Sequence, residues 1–153
     1  MADVLDTKIL KKLQEDCTMS LDLLSESVGL SPTSCYRRIK KMETQGLIKA
    51  KRAILDERKL GFQVTAMFMI KLQRDSSDVD RRMHKILEKR PEIQQCHLIS
   101  GDFDFVLLAK FRDAAEYTDY IYRFLEIYAD IPIRNYSSSI VVRTIRQNEI
   151  LPL

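Results

Sequence analysis

Thr33, Ser34, Arg37 and Lys40 carry hydroxyl, guanidinium and ammonium donors. On a helical wheel Thr33, Arg37, Lys40 and Thr44 fall on one side, with Lys41 beside them. Such donors suit the acceptor-rich edges of base pairs: Arg can give two hydrogen bonds to guanine O6 and N7, whereas hydroxyls read bases less selectively. Arg38, Lys41, Lys49 and Lys51 add charge for phosphates, which confer affinity and orientation but little sequence information. Residues 37–52 hold Arg37, Arg38, Lys40, Lys41, Lys49, Lys51 and Arg52 against Glu43 alone, in a chain of net charge only +3. A local basic patch in a nearly balanced chain points to a polyanion site on one module. The bland alternative is a solvated basic helix face, and charge alone does not choose between them.

The signals around this face define the element that must present it. Gly29 permits a tight turn, Ser31 can cap a helix, Pro32 fits its first position and Gly46 supplies a stop. Cys35, Ile39 and Met42 then recur at helical spacing and face inward. Upstream, Leu5, Ile9 and Leu13 mark one helix, and Leu21, Leu24 and Val28 a shorter second one. Three short helices with a sharp turn between the last two describe a helix-turn-helix. Leu47–Leu55 alternates enough to predict a small basic β-wing, and Asp56–Leu60 before Gly61 reads as a linker.

From Phe62 the period changes from 3.6 to 2. Phe62, Val64, Ala66, Phe68, Ile70 and Leu72 line one strand face, while Met67 and Met69 lie on the other. Ser77-x-x-Asp80 resembles a capping box ahead of a helix with Val79, Met83, Ile86 and Leu87 inward. Strands follow at 93–99 and 103–111 around the Ser100-Gly101-Asp102 turn. A last helix opens at Asp113 with Tyr117, Ile121, Phe124, Leu125 and Tyr128 inward, and a final strand spans 133–142. The order β-α-β-β-α-β is that of a ferredoxin-like sheet with helices on one face. Its other face needs cover, and the two methionines there suggest a second subunit. The predicted fold class is α+β: a winged helix-turn-helix domain over 1–54, a linker over 55–61 and a ferredoxin-like domain over 62–153.

Other chemistries find little support. The chain has 153 residues, 45% hydrophobic and 31% charged, as for an ordinary globular protein. No apolar run is long enough to span a bilayer, and no secretory h-region opens the chain. Cys17, Cys35 and Cys96 are odd in number and widely spaced, which argues against a disulfide framework or zinc finger and for a reducing cytoplasm. His84 and His97 are the only histidines, and Cys96 and His97, adjacent on a strand, point to opposite faces. No catalytic set, P-loop, dinucleotide fingerprint or metal-ligand cluster stands out, so no enzyme activity, cofactor or metal is expected.

The two-module order resembles the Lrp/AsnC (feast/famine) family of transcriptional regulators over almost the entire chain. The marks are Leu5–Leu10, Val28-Gly29-Leu30-Ser31-Pro32, the run Arg37–Ile48 and, most specifically, Cys96–Phe105. The resemblance implies DNA binding, a dimer built through the C-terminal domains that often assembles into octamers, and a free amino acid as effector. It places the amino-acid pocket around Ser100, Gly101, Asp102 and Asp104 and an adjacent subunit, with Ser138 completing it; the residues alone read as an ordinary turn. An ammonium needs an acceptor, which Asp102 or Asp104 can supply, and a carboxylate needs donors, for which Gly101 allows close backbone approach. Three serines at 137–139 depart from the family's bulkier or Thr-rich pattern. A tetrapyrrole-processing sirohaem decarboxylase, built from related modules, is the enzyme alternative, against which the intact basic helix and few histidines argue; a ligand-binding assembly protein with vestigial DNA contacts is the other.

Overall fold

The computed structural model describes residues 2–73, 78–148 and 150–153. The chain divides into two compact units, residues 1–54 with 145–153, and residues 55–144.

In the first unit, helix α1 is Val4–Glu15, α2 is Leu21–Val28 and α3 is Pro32–Thr44. Side chains close each helix start. Asp3 and Asp6 exchange bonds with each other's backbone N–H at 2.8 and 3.2 Å, while Ser20 and Ser31 accept from Leu23 and Ser34. Gly29, at φ 72°, turns the chain from α2 toward α3 in the left-handed conformation that a side chain disfavours. Ile9, Leu24, Val28, Cys35, Ile39 and Met42 form the core, with Leu10, Leu13, Met19, Leu30 and Ile48 packed against it. Leu21, expected inward, is exposed, and Ser25 is buried on α2 instead, its hydroxyl bonded to the Asp22 carbonyl.

The predicted wing does not form: Leu47–Leu55 contains no strand. Its alternation has no partner strand in this unit, and a lone strand leaves its backbone unpaired. The expected domain boundary also shifts, because residues 145–153 group with the helices. There Gln14 gives and takes a hydrogen bond with the backbone of Leu151, at 3.3 and 2.7 Å.

The second unit holds strands β1 (Val64–Leu72), β2 (Ile93–Leu98), β3 (Phe105–Phe111) and β4 (Ile133–Ile140), with helices α4 (Val79–Leu87), α5 (Ala114–Tyr122) and α6 (Phe124–Ile127). The sheet order is β2-β3-β1-β4, all pairs antiparallel, which is the ferredoxin-like arrangement. Ala66, Phe68, Ile70 and Leu72 of β1 face the helices as predicted, and Met67 stands exposed on the reverse face. The Phe124 ring fills the centre, 5.3 Å from that of Phe68 and 4.2 Å from that of Tyr136. The expected single last helix breaks at Arg123. Tyr120 turns inward to hydrogen-bond Tyr128 at 2.8 Å, while Leu125 faces solvent beside the inserted Phe124. Ser77, the expected cap of α4, lies outside the described residues.

Candidate DNA-binding face and effector loop

Cys35, Ile39 and Met42 are buried, which fixes the rotation of α3 and turns Thr33, Arg37, Lys40 and Lys41 outward. Ser34 is half-buried beside the helix start, and Lys49 and Lys51 follow on the exposed segment after α3. Thr33, Arg37, Lys40 and Lys41 are therefore all exposed on α3, but the cations among them are not equivalent.

Arg37, Lys41 and Lys49 have no acidic partner among the described residues. Arg38 differs. Its Nη1 lies 2.7 Å from both the Asp3 and Asp6 carboxylates, and Asp6 is 5% exposed. The N–H of Asp6 and then the Arg38 guanidinium hold the Asp3 carboxyl below its ordinary range, and the two carboxylates raise Arg38 in return. Arg38, expected as a phosphate anchor, braces α3 to the start of α1. The partners lie 35 and 32 residues away, so α3 alone gave no sign of them. The one available signal was the Asp3/Asp6 pair at capping-box spacing.

Glu43, the lone acid of the patch, bridges two lysines: Oε2 lies 2.8 Å from Lys40 Nζ and Oε1 lies 3.0 Å from Lys51 Nζ. The Lys40 ammonium also sits 5.8 Å from the centre of the Tyr36 ring. The hydrogen bond to Glu43 raises Lys40, and the bonds from Lys40 and Lys51 lower Glu43.

In the second unit, Ser100, Gly101 and Asp102 are exposed on the β2–β3 loop. Gly101 has φ 129°, a backbone state that side-chain-bearing residues rarely adopt, so conformation and not crowding explains the glycine. Asp104 lies at the base of the loop with its carboxylate in use. It accepts from the Leu72 N–H at 2.7 Å and pairs with Lys71 at 3.4 Å, while its own N–H donates to the Ile70 carbonyl. Of the two proposed ammonium acceptors, only Asp102 is open.

Ser138 does not join this loop within one subunit. It pairs across from Phe68 on the far side of β1, and its hydroxyl lies 3.0 Å from that of Tyr117, on the helix side of the sheet. Ser137, which sequence reasoning passed over, alternates onto the open face beside Met69, with its hydroxyl buried and unpartnered among the described residues. The Ser137–Ser139 run could not reveal which serine turns which way.

Residues 3–43 match the family model described as the AsnC-type helix-turn-helix domain, and residues 65–151 match the Lrp/AsnC ligand binding domain. The chain belongs to the Lrp/AsnC family. It is 32% identical over 154 residues to the DNA-binding transcriptional activator DecR of Escherichia coli, covering 100% of this chain and 99% of that protein. A crystal structure of an AsnC family transcriptional regulator from Agrobacterium tumefaciens superposes with a TM-score of 0.89 at 36% identity, covering 99% of this chain and 97% of that one. A Neisseria meningitidis transcriptional regulator in complex with L-methionine superposes equally well, TM-score 0.89, at 28% identity and with the same coverage. This Lrp/AsnC protein is thus a DNA-binding transcriptional regulator and not an enzyme, which sets the decarboxylase alternative aside. Among the described residues no helix is long and apolar enough to cross a membrane.

Proposed function

We propose that this Lrp/AsnC protein is a sequence-specific regulator of amino-acid-related metabolism, acting in the cytoplasm on double-stranded DNA. Thr33, Ser34, Arg37 and Lys40 face base edges in the major groove, and Lys41, Lys49 and Lys51 meet phosphates. The observation that carries this reading is the outward face of α3, where Arg37 and Lys41 stand exposed without acidic partners among the described residues while Arg38 holds the helix to α1. A homodimer formed over the open sheet face, assembling further to octamers, would present paired recognition helices. Its site would then be pseudo-palindromic.

The effector is a free amino acid bound at Ser100, Gly101 and Asp102. Asp102 takes the ammonium, Asp104 acts as the structural base of the loop, and Ser137 replaces Ser138 as the hydroxyl of the open face. The L-methionine complex of the Neisseria relative supports the ligand class. The ligand acts only through different affinity for two assembly states. Selection of genomic fragments by the protein, with and without L-methionine or L-leucine, tests both parts. Enrichment of fragments sharing an inverted repeat is expected, and enrichment no better than random would remove sequence-specific recognition. Calorimetry against all common amino acids without a binding signal would remove the effector.

A further inference from the structure

The Glu43 carboxylate sits where the DNA-binding role calls for an anion of another kind. Its two oxygens each hold one ammonium, Lys40 at 2.8 Å and Lys51 at 3.0 Å. A backbone phosphate likewise presents two anionic oxygens, and two lysines converging on one such group form a ready phosphate cradle. Lys40 stands on the exposed side of α3 and Lys51 on the strandless segment beyond it, and among the described residues Glu43 ties the Lys51 ammonium to the recognition helix. The lysine side chains are 57% and 42% exposed, and exposed pairs of this kind exchange partners at little cost.

We infer that Lys40 and Lys51 form one phosphate-binding site, and that Glu43 is a built-in competitor which DNA must displace. The inference rests on the DNA-binding face proposed above and moves Lys40 from base reader to phosphate anchor. In the free protein Glu43 occupies the cradle, keeps Lys51 beside α3 and cancels part of the basic charge. On DNA a phosphate takes both lysines, and the released carboxylate faces a polyanion. Glu43 therefore lowers affinity for any duplex and flattens its salt dependence. The displaced carboxylate recruits a cation, offsetting counterions released from the DNA.

The test uses the full chain and a fluorescent 30-base-pair random duplex, titrated from about 50 to 200 mM salt. Glu43→Gln is compared with wild type and with Glu15→Gln, which makes the same charge change at the exposed Lys12–Glu15 pair of α1. Two exposed pairs no longer broken on binding predict that E43Q tightens low-salt binding roughly three- to tenfold. The slope of log affinity against log salt should steepen by up to about one unit. E15Q should stay within about twofold of wild type, as expected for charge away from the face. Lys40→Ala and Lys51→Ala should each flatten the slope by about one unit. An E43Q protein that melts like wild type but binds no tighter overturns the competitor role, as does equal tightening by E15Q. If wild type itself fails to bind duplex DNA, the DNA-binding face falls and this refinement falls with it, an outcome distinct from unchanged binding by E43Q.

Discussion

Neighbouring arginines on α3 should give opposite phenotypes when each is replaced by Ala. Arg37 is exposed and has no acidic partner among the described residues, so its removal strands no charge and opens no cavity. Its whole effect should fall on DNA. A bidentate arginine–guanine contact is worth about 1–3 kcal/mol, so Arg37→Ala should weaken a selected operator by roughly 5- to 150-fold. Random duplex should lose at most one phosphate equivalent, about one unit of salt slope. Arg38→Ala should behave in reverse, because it leaves Asp3 and the nearly buried Asp6 without their 2.7 Å partner. The melting temperature of the helical unit should fall, while the salt slope measured on protein still folded should stay unchanged. Anisotropy titrations on operator and random duplexes, with circular-dichroism melts of the same samples, separate these outcomes. Equal weakening of both duplexes by Arg37→Ala would make Arg37 a phosphate contact. A flatter salt slope in fully folded Arg38→Ala would return Arg38 to the phosphate anchors and refute the brace.

The carboxylates of Asp3 and Asp16 lie below their ordinary value of 3.8 in the folded chain, so their stabilisation is complete above that value and fades as the pH falls through the lowered ones. Melts at pH 5 and pH 3 should show the helical unit losing stability across that window, with Arg38→Ala losing less. Gly101→Ala forces a side chain onto φ 129° and should cost about 1–3 kcal/mol of local strain. Calorimetry with whichever amino acid the wild type binds should then show weakened binding in a protein whose sheet still melts cooperatively. Phe124→Ala empties the centre of the second core and should destabilise that unit by about 3–5 kcal/mol, read by chemical denaturation. Burial pushes the Cys96 thiol up to about 11, so alkylation at pH 8 should label it far more slowly than a free thiol.

The parts legible in the sequence were those written as periodicity and punctuation. Ser31, Pro32 and Gly29 bounded α3 because caps and left-handed turns are local, and Ala66, Phe68 and Ile70 marked the buried face of β1 because a strand alternates. Where pairing or packing decided, the pattern misled. Leu47–Leu55 alternates without a partner strand, and of the expected inward pair Phe124 and Leu125 only Phe124 stays buried once the helix breaks at Arg123. Ser137 and Ser138 are chemically identical, and only the registry of β4 sends one hydroxyl toward Tyr117 and the other to the open face.

The basic face shows the same division at the level of charge. Helical spacing reports which cations point outward, but the partner of an outward cation is set by chain that arrives from elsewhere. Arg37 and Arg38 are adjacent and identical in type, yet Asp3 and Asp6 at the start of α1 deliver two carboxylates to Arg38 and none to Arg37. Lys40 and Lys51 are separated by a turn, yet a single carboxylate joins them. Counting positive residues therefore overstates what DNA meets first. On the DNA-binding face proposed above, Arg37, Lys41 and Lys49 would be available at once, Lys40 and Lys51 only by exchange with Glu43, and Arg38 only by unfastening α1 from α3. Each class should leave a different trace in a salt titration: immediate cations set the slope, exchangeable ones add to it less than their number, and the brace adds nothing while the helices stay folded.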